Sequence, residues 1–191
     1  MSEATSRLAR AVWRRLGSRP VYANPWMRVR EDDVELPDGR TTIYGVVECA
    51  GAVGVLPFLD PETVVLVGQY RYIAGAFLWE MPTGGVHAGE TQEAAARREL
   101  AEEAGYEAER LLRVGAFHTS KSVLDETATL FVAEGLRPAA LRGGDPTEFI
   151  EVRAFPFDEV LRMVEASEIK DAMTIIAVLC AARRRVTPGR A

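Results

Sequence analysis

The segment between Thr91 and Gly105 constrains this chain more than any other. Thr91 offers a hydroxyl N-cap, the residues after it are Ala-rich helix formers, and Gly105 suits a helix stop. Within that helix Glu99, Glu102 and Glu103 stand at i, i+3 and i+4, so three carboxylates share one face. Leu100, Ala104 and Ala94–Ala96 supply an apolar side, which makes the helix amphipathic and fixes its orientation on a core. Like charges at this spacing repel. A hard divalent cation with oxygen ligands, Mg²⁺ or Mn²⁺, removes the repulsion. The plainer reading is a solvated acidic face, the usual meaning of a charge run.

The loop before the helix shifts the balance. Pro82-Thr83-Gly84-Gly85 lets backbone approach a ligand, since glycine has no side chain in the way. From Gly84 the sequence runs G-x5-E-x7-R-E-U-x-E-E-x-G-U, with U apolar or aromatic and every fixed position filled through Tyr106. Seven positions demand one residue type, so a chance match at a given start is on the order of 10⁻⁹.

This pattern resembles the signature of the Nudix hydrolases, and the resemblance is specific over residues 84–106. It implies a mixed-sheet α/β/α sandwich and metal-dependent attack of water on a nucleoside diphosphate linked to another moiety X. Carried over by position, Glu99 and Glu103 are the main metal ligands, and Glu102 is a supporting ligand or orienter. Arg98 is an ion-pairing residue that holds the glutamates, and the Thr83 carbonyl is a further ligand. Glu90, Gly84 and Gly105 are structural members of the pattern.

Upstream, Val67-Gly68-Gln69-Tyr70-Arg71-Tyr72 and Leu78-Trp79-Glu80-Met81-Pro82 resemble the lead-in of the ADP-ribose pyrophosphatase branch. Arg71 has the fork geometry for a phosphate or a substrate carboxylate. Tyr70, Tyr72 or Trp79 can stack on a base or ribose, and Glu80 completes the candidate substrate set. The competing readings are a surface ion pair for Arg71 and packing for the aromatics. The loop Phe117–Glu126 keeps Ser120 and Glu126 of that branch but has Lys121-Ser122 in place of Pro-Gly. Lys121 is therefore a candidate contact to phosphate or to X. Glu126 is the candidate general base, with Asp125 its rival on the opposite face of an extended chain. His87 and His118 lie in no zinc spacing.

The 191 residues suit one ordinary domain, and the formal net charge of −5 argues mildly against non-specific nucleic-acid binding. Cys49 and Cys180 share no metal-like spacing and read as reduced thiols. No apolar run reaches the roughly 20 residues that span a membrane, and Met1–Gly17 lacks a signal-peptide core. The expected compartment is the cytoplasm. Met1–Gly17 reads as an Arg-rich helix, Trp26–Leu36 and Thr41–Glu48 as a hairpin, and Gly51–Leu59 and Val64–Tyr70 as core strands. Leu111–Phe117, Ala128–Ala133 and Ile150–Phe155 read as strands, Arg137–Glu148 as turns, and Asp158–Ala166 and Asp171–Arg184 as helices. The fold class is α+β, a Nudix-type sandwich with an additional N-terminal helix/hairpin region. Residues 1–48 form a dimerisation region and 49–191 the hydrolase domain. Arg19–Glu48 and the apolar stretch Met173–Ala181 are the expected interface of a homodimer. Other functions are a house-cleaning triphosphate hydrolase, which the long N-terminal half opposes, and a nucleotide-sensing module, which tends to lose carboxylates that are all present here. A third, isoprenoid diphosphate isomerase, needs active-site groups that this chain does not display.

Overall fold

The computed structural model describes residues 10–139 and 149–186. They fall into two compact units. One runs to Ala50 and takes back His118–Glu126; the other holds Gly51–Phe117 and the chain from Thr127 on.

The first unit is a four-stranded sheet of β1 (Arg14–Ala23), β2 (Arg28–Glu35), β3 (Thr41–Glu48) and β9 (Leu124–Asp125), in that order. β1–β2 and β2–β3 are antiparallel, and the short β9 lies parallel to β3, with Val47 opposite Leu124. The hairpin of β2 and β3 is the expected one. The expected helix over Met1–Gly17 is not present in its described part. Arg14–Gly17 belong to a strand, and residues 1–9 lie outside the described residues. The reason is cross-strand: Arg14 pairs with Glu35 and Arg19 with Glu31, so the arginines face carboxylates of β2. Pro20 also bars a helix from continuing, and β1 absorbs it at a register shift between Pro20 and Tyr22.

The second unit is a sandwich. Its sheet runs β11-β5-β4-β10-β8, with β6 (Ala76–Glu80) on β5 and β7 (Thr83–Gly85) on β4. β4 (Ala52–Asp60) is antiparallel to β5 (Thr63–Arg71) and parallel to β10 (Thr127–Pro138), so the sheet is mixed. β8 is Tyr106–His118 and β11 is Glu151–Pro156. Alternation along β4 and β5 builds two cores. Val53, Val55, Val65 and Val67 meet α1 (Gln92–Ala104) through Ala95, Ala96, Leu100 and Ala104. Leu56, Phe58, Val64 and Leu66 meet α2 (Phe157–Glu165) and α3 (Ala172–Val186) through Phe157, Val160, Ala177, Val178 and Ala181. Covered on both faces, these strands read as continuous apolar runs. Each fully buried leucine, such as Leu56, Leu66 and Leu130, contributes about 1.5–3 kcal/mol.

Within the apolar stretch of α3, Ala177, Val178 and Ala181 pack in the core, Met173, Ile175 and Ile176 are partly buried against it, and Leu179 is exposed. Residues 140–148 of the expected turn region lie outside the described residues. Among the described residues no helix is long and apolar enough to cross a membrane.

Candidate active site

α1 is capped as its ends predict. Thr91 accepts a hydrogen bond from the Ala94 N–H at 3.1 Å, and Gly105 adopts the left-handed conformation, φ 72°, with its N–H reaching the Ala101 carbonyl. This fixes the roll of the helix. The consequence is that Glu99 and Glu103 are turned into the protein, each less than a tenth exposed, while Glu102 is half-buried.

Arg98 is the hub of these carboxylates. Its guanidinium donates to Glu99 at 2.6 Å, to Glu102 at 3.1 Å, to both oxygens of Glu90 at 3.1 Å and to the Gly85 carbonyl at 2.8 Å. Glu90 also accepts from the His87 N–H at 3.1 Å, so it ties the loop to the helix. Glu103 accepts from the Thr83 N–H at 2.8 Å. Hydrogen bonding to Arg98, foremost, holds the Glu90 carboxyl below its usual range, and the bond to Glu90 raises Arg98 in turn.

Three carboxylates, Glu90, Glu99 and Glu102, thus bond one guanidinium, and Glu103 lies one turn from Glu99 on the same helix, held by the Thr83 N–H. Above Glu99 the backbone is Gly84, where a Cβ would overlap the carboxylate. Only glycine leaves the Glu99 head group its space. Among the described residues no three acidic, cysteine or histidine side chains converge as a ready metal cage. Arg98 stands among the glutamates, and the Thr83 amide draws Glu103 aside. The donor set itself, all oxygen and strongly anionic, fits a hard divalent ion.

On the same face of the sheet as α1, Arg71 pairs with Glu80 across β5 and β6, at 2.6–2.7 Å. Glu80 is buried and Arg71 partly exposed. Burial, foremost, pushes the Glu80 carboxyl up; Arg71 opposes the shift and the charge of Asp171 adds to it. Gln69, on the same face, is buried with its Nε2 atom lacking a hydrogen-bond partner. Tyr70 and Trp79 point to the other face by strand alternation. Trp79 is engaged there by Phe77 and Phe155, at centroid distances of 5.4 and 5.0 Å, and the packing reading holds for it. Tyr70 and Tyr72 are exposed.

Lys121 and Glu126 belong to the other unit. Lys121 is exposed. Glu126 is half-buried and accepts from the Thr119 hydroxyl at 2.6 Å, whereas Asp125 is exposed beside Arg30, at 4.0 Å. The two carboxylates do diverge, as alternation requires.

Asp171 and Thr174 carried no signal in the sequence. Thr174 is wholly buried and accepts from the Met81 N–H at 3.0 Å. The two partners are 93 residues apart, beyond any local pattern.

Two family models match: the NUDIX domain over residues 50–174 and the nucleoside diphosphate sugar hydrolase N-terminal domain over residues 13–47. An ADP-ribose pyrophosphatase of Bacillus subtilis is 34% identical over 85% of this chain and 89% of its own length. A methanol dehydrogenase activator of Bacillus methanolicus is 35% identical over 83% and 86%. The crystal structure of an ADP compounds hydrolase superposes with a TM-score of 0.82 at 22% identity, covering 94% of this chain and 97% of that one, a likeness of fold. With its acidic helix, its arginine hub and a family match that spans most of its length, the chain belongs to the Nudix hydrolases.

Proposed function

We propose that this chain is a Mg²⁺- or Mn²⁺-dependent hydrolase of a nucleoside diphosphate linked to X, of the ADP-ribose or nucleotide-sugar type. The products are a nucleoside monophosphate and a phosphorylated X. The observation that carries the reading is the buried oxygen donor set of Glu99 and Glu103 beside Glu102 and Arg98, at a backbone made of glycine. The substrate class is supported by the relatives, which include an ADP-ribose pyrophosphatase at 34% identity. All the carboxylates of the residue 84–106 pattern are present, which favours catalysis over nucleotide sensing.

In this reading Glu99 and Glu103 hold the metal, with Glu102 in support. Thr83 presents its N–H to Glu103, and in an extended chain the carbonyl of a residue points the same way, which suits Thr83 as a ligand. A divalent ion held there would supply Lewis-acid chemistry toward a diphosphate. Arg98 aims Glu99 and Glu102, and Glu90 anchors Arg98. Arg71, oriented by Glu80, meets the anionic or hydroxyl groups of the substrate, and Lys121 is a proposed contact to phosphate or X; Tyr70, on the opposite face of β5, is left to a separate stacking contact. Glu126, directed by Thr119, takes the proton of the attacking water.

The enzyme is read as a homodimer built on residues 1–48. Leu16, Val21, Tyr22, Trp26, Met27 and Ile43 are exposed apolar side chains of the N-terminal unit and suit a subunit interface. It is read as cytoplasmic, and Cys49 and Cys180 are both unbridged.

The test is hydrolysis of ADP-ribose and ADP-sugars with Mg²⁺, with a phosphatase releasing phosphate from the monophosphate products. Glu99→Gln and Glu103→Gln are expected to abolish most turnover while the far-ultraviolet spectrum stays that of the wild type. Unchanged kcat in both variants sinks the metal assignment.

A further inference from the structure

The four residues Glu80-Met81-Pro82-Thr83 carry the chain from β6 into the glycine loop, and each is fastened to a different element. Glu80 is paired with Arg71 of β5. The Met81 N–H donates to Thr174 of α3 at 3.0 Å. The Pro82 carbonyl accepts from the Val55 N–H of β4 at 2.9 Å. The Thr83 N–H donates to Glu103 of α1 at 2.8 Å.

The second tie differs from the others. The Thr174 hydroxyl donates to Asp171 at 2.6 Å, and the same carboxylate oxygen accepts the Thr174 N–H at 2.7 Å. With its hydrogen spent on Asp171, the hydroxyl can turn only a lone pair to Met81. Met81 and Thr174 are both wholly buried, so water cannot replace this bond. Packing does not ask for a hydroxyl here. The neighbours on α3, Met173, Ile175 and Ile176, sit against the apolar core, and valine has the same shape as threonine.

We propose that Thr174, held by Asp171, is a positioning residue: it sets the Glu80–Thr83 segment against α3 and thereby places Thr83 before Glu103. The inference rests on the assignment of Thr83 and Glu103 to the metal site and extends that site to a helix on the opposite face of the sheet.

Thr174→Val, Thr174→Ser and Asp171→Ala test it. Mn²⁺ affinity is read by electron paramagnetic resonance without substrate, and kcat and KM are read with ADP-ribose. Removing a direct outer partner of a metal ligand costs about 10- to 100-fold in metal affinity or activity; Thr174 acts through Met81, two residues before Thr83, so the low end, about 10-fold, is expected for Thr174→Val in Mn²⁺ affinity and in kcat more than in KM. Thr174→Ser restores both to within roughly two-fold, and Asp171→Ala falls between. A folded Thr174→Val with wild-type Mn²⁺ affinity and kcat, whatever its melting temperature, overturns the proposal. If that variant does not fold, a wild-type Asp171→Ala overturns it. A wild type that binds Mn²⁺ but hydrolyses no diphosphate refutes the substrate reading alone, and the Mn²⁺ comparison still decides the role of Thr174. A wild type that does neither refutes both.

Discussion

At Arg98 one side chain answers three carboxylates and a carbonyl, and the local spacing of the glutamates made half of this legible beforehand. Residues one turn apart must share a face whatever the rest of the fold does. Arg71 is the contrasting case. Its neighbour Glu80 lies across a strand pair, and the sequence reading left open whether Arg71 meets a ligand or an ion pair; the structure supplies the pair. Glu80 also gives a prediction. Burial raises its folded pKa above the unfolded value, so its contribution is most favourable below the unfolded pKa and is lost as pH rises through the folded one. Glu80→Gln removes that loss, and Arg71, partly exposed, can hydrate. The melting temperature of the variant relative to wild type is expected to rise with pH above the unfolded glutamate value of about 4.3; a difference that stays flat above it refutes the burial of Glu80 as the cause. The second prediction separates two neighbours. Glu126→Gln should lose about 10²–10⁴-fold in kcat with little change in KM, and Asp125→Asn should stay near wild type. The reverse outcome moves the base by one residue, and no effect in either assigns the loop to recognition.

At the scale of elements, α1 was readable because its ends, its apolar side and its acidic side are all encoded within fifteen consecutive residues, Thr91 to Gly105. β1 was not. Its arginines and apolar residues fall near helical spacing, and only the carboxylates of β2, more than ten residues away, turn them into a strand. Nor was Thr174 readable, for the same reason of distance. The close meeting of β7 with α1 yields a prediction of its own. Gly84→Ala puts a methyl group where the Glu99 carboxylate lies, so either the carboxylate or the loop must move. Misplacement of about 1 Å can cost 10²-fold, and kcat is expected to fall by that order. The substitution leaves α1 and its caps in place, so helical content should not change. A variant with full activity shows that the loop yields without cost, and that Gly84 is not needed for space.

For the whole molecule, the order of strands followed by helices was enough to predict the sandwich, because runs such as Val64-Val65-Leu66-Val67 demand cover on both faces. What composition could not show is which apolar stretch is left over. Much of Met173–Ala181 packs on the core, and the N-terminal unit exposes a run of apolar side chains that includes Trp26 and Ile43. Light scattering at micromolar concentration should therefore give a dimer, and Trp26→Glu with Ile43→Glu should shift it toward monomer without unfolding the protein. A wild-type monomer refutes the association. The pairing of β3 with β9 has a bearing on how the chain comes into being. Val47 waits for Leu124, seventy-seven residues later. At about 5–20 residues per second, a ribosome needs roughly 4–15 s to make that stretch. The N-terminal sheet, although first to emerge, cannot be finished during that interval, and its edge at β3 is open to other strands. A pause in translation before Leu124 would lengthen the time for which the β3 edge stays open, and that of β4, whose partner begins at Ala128.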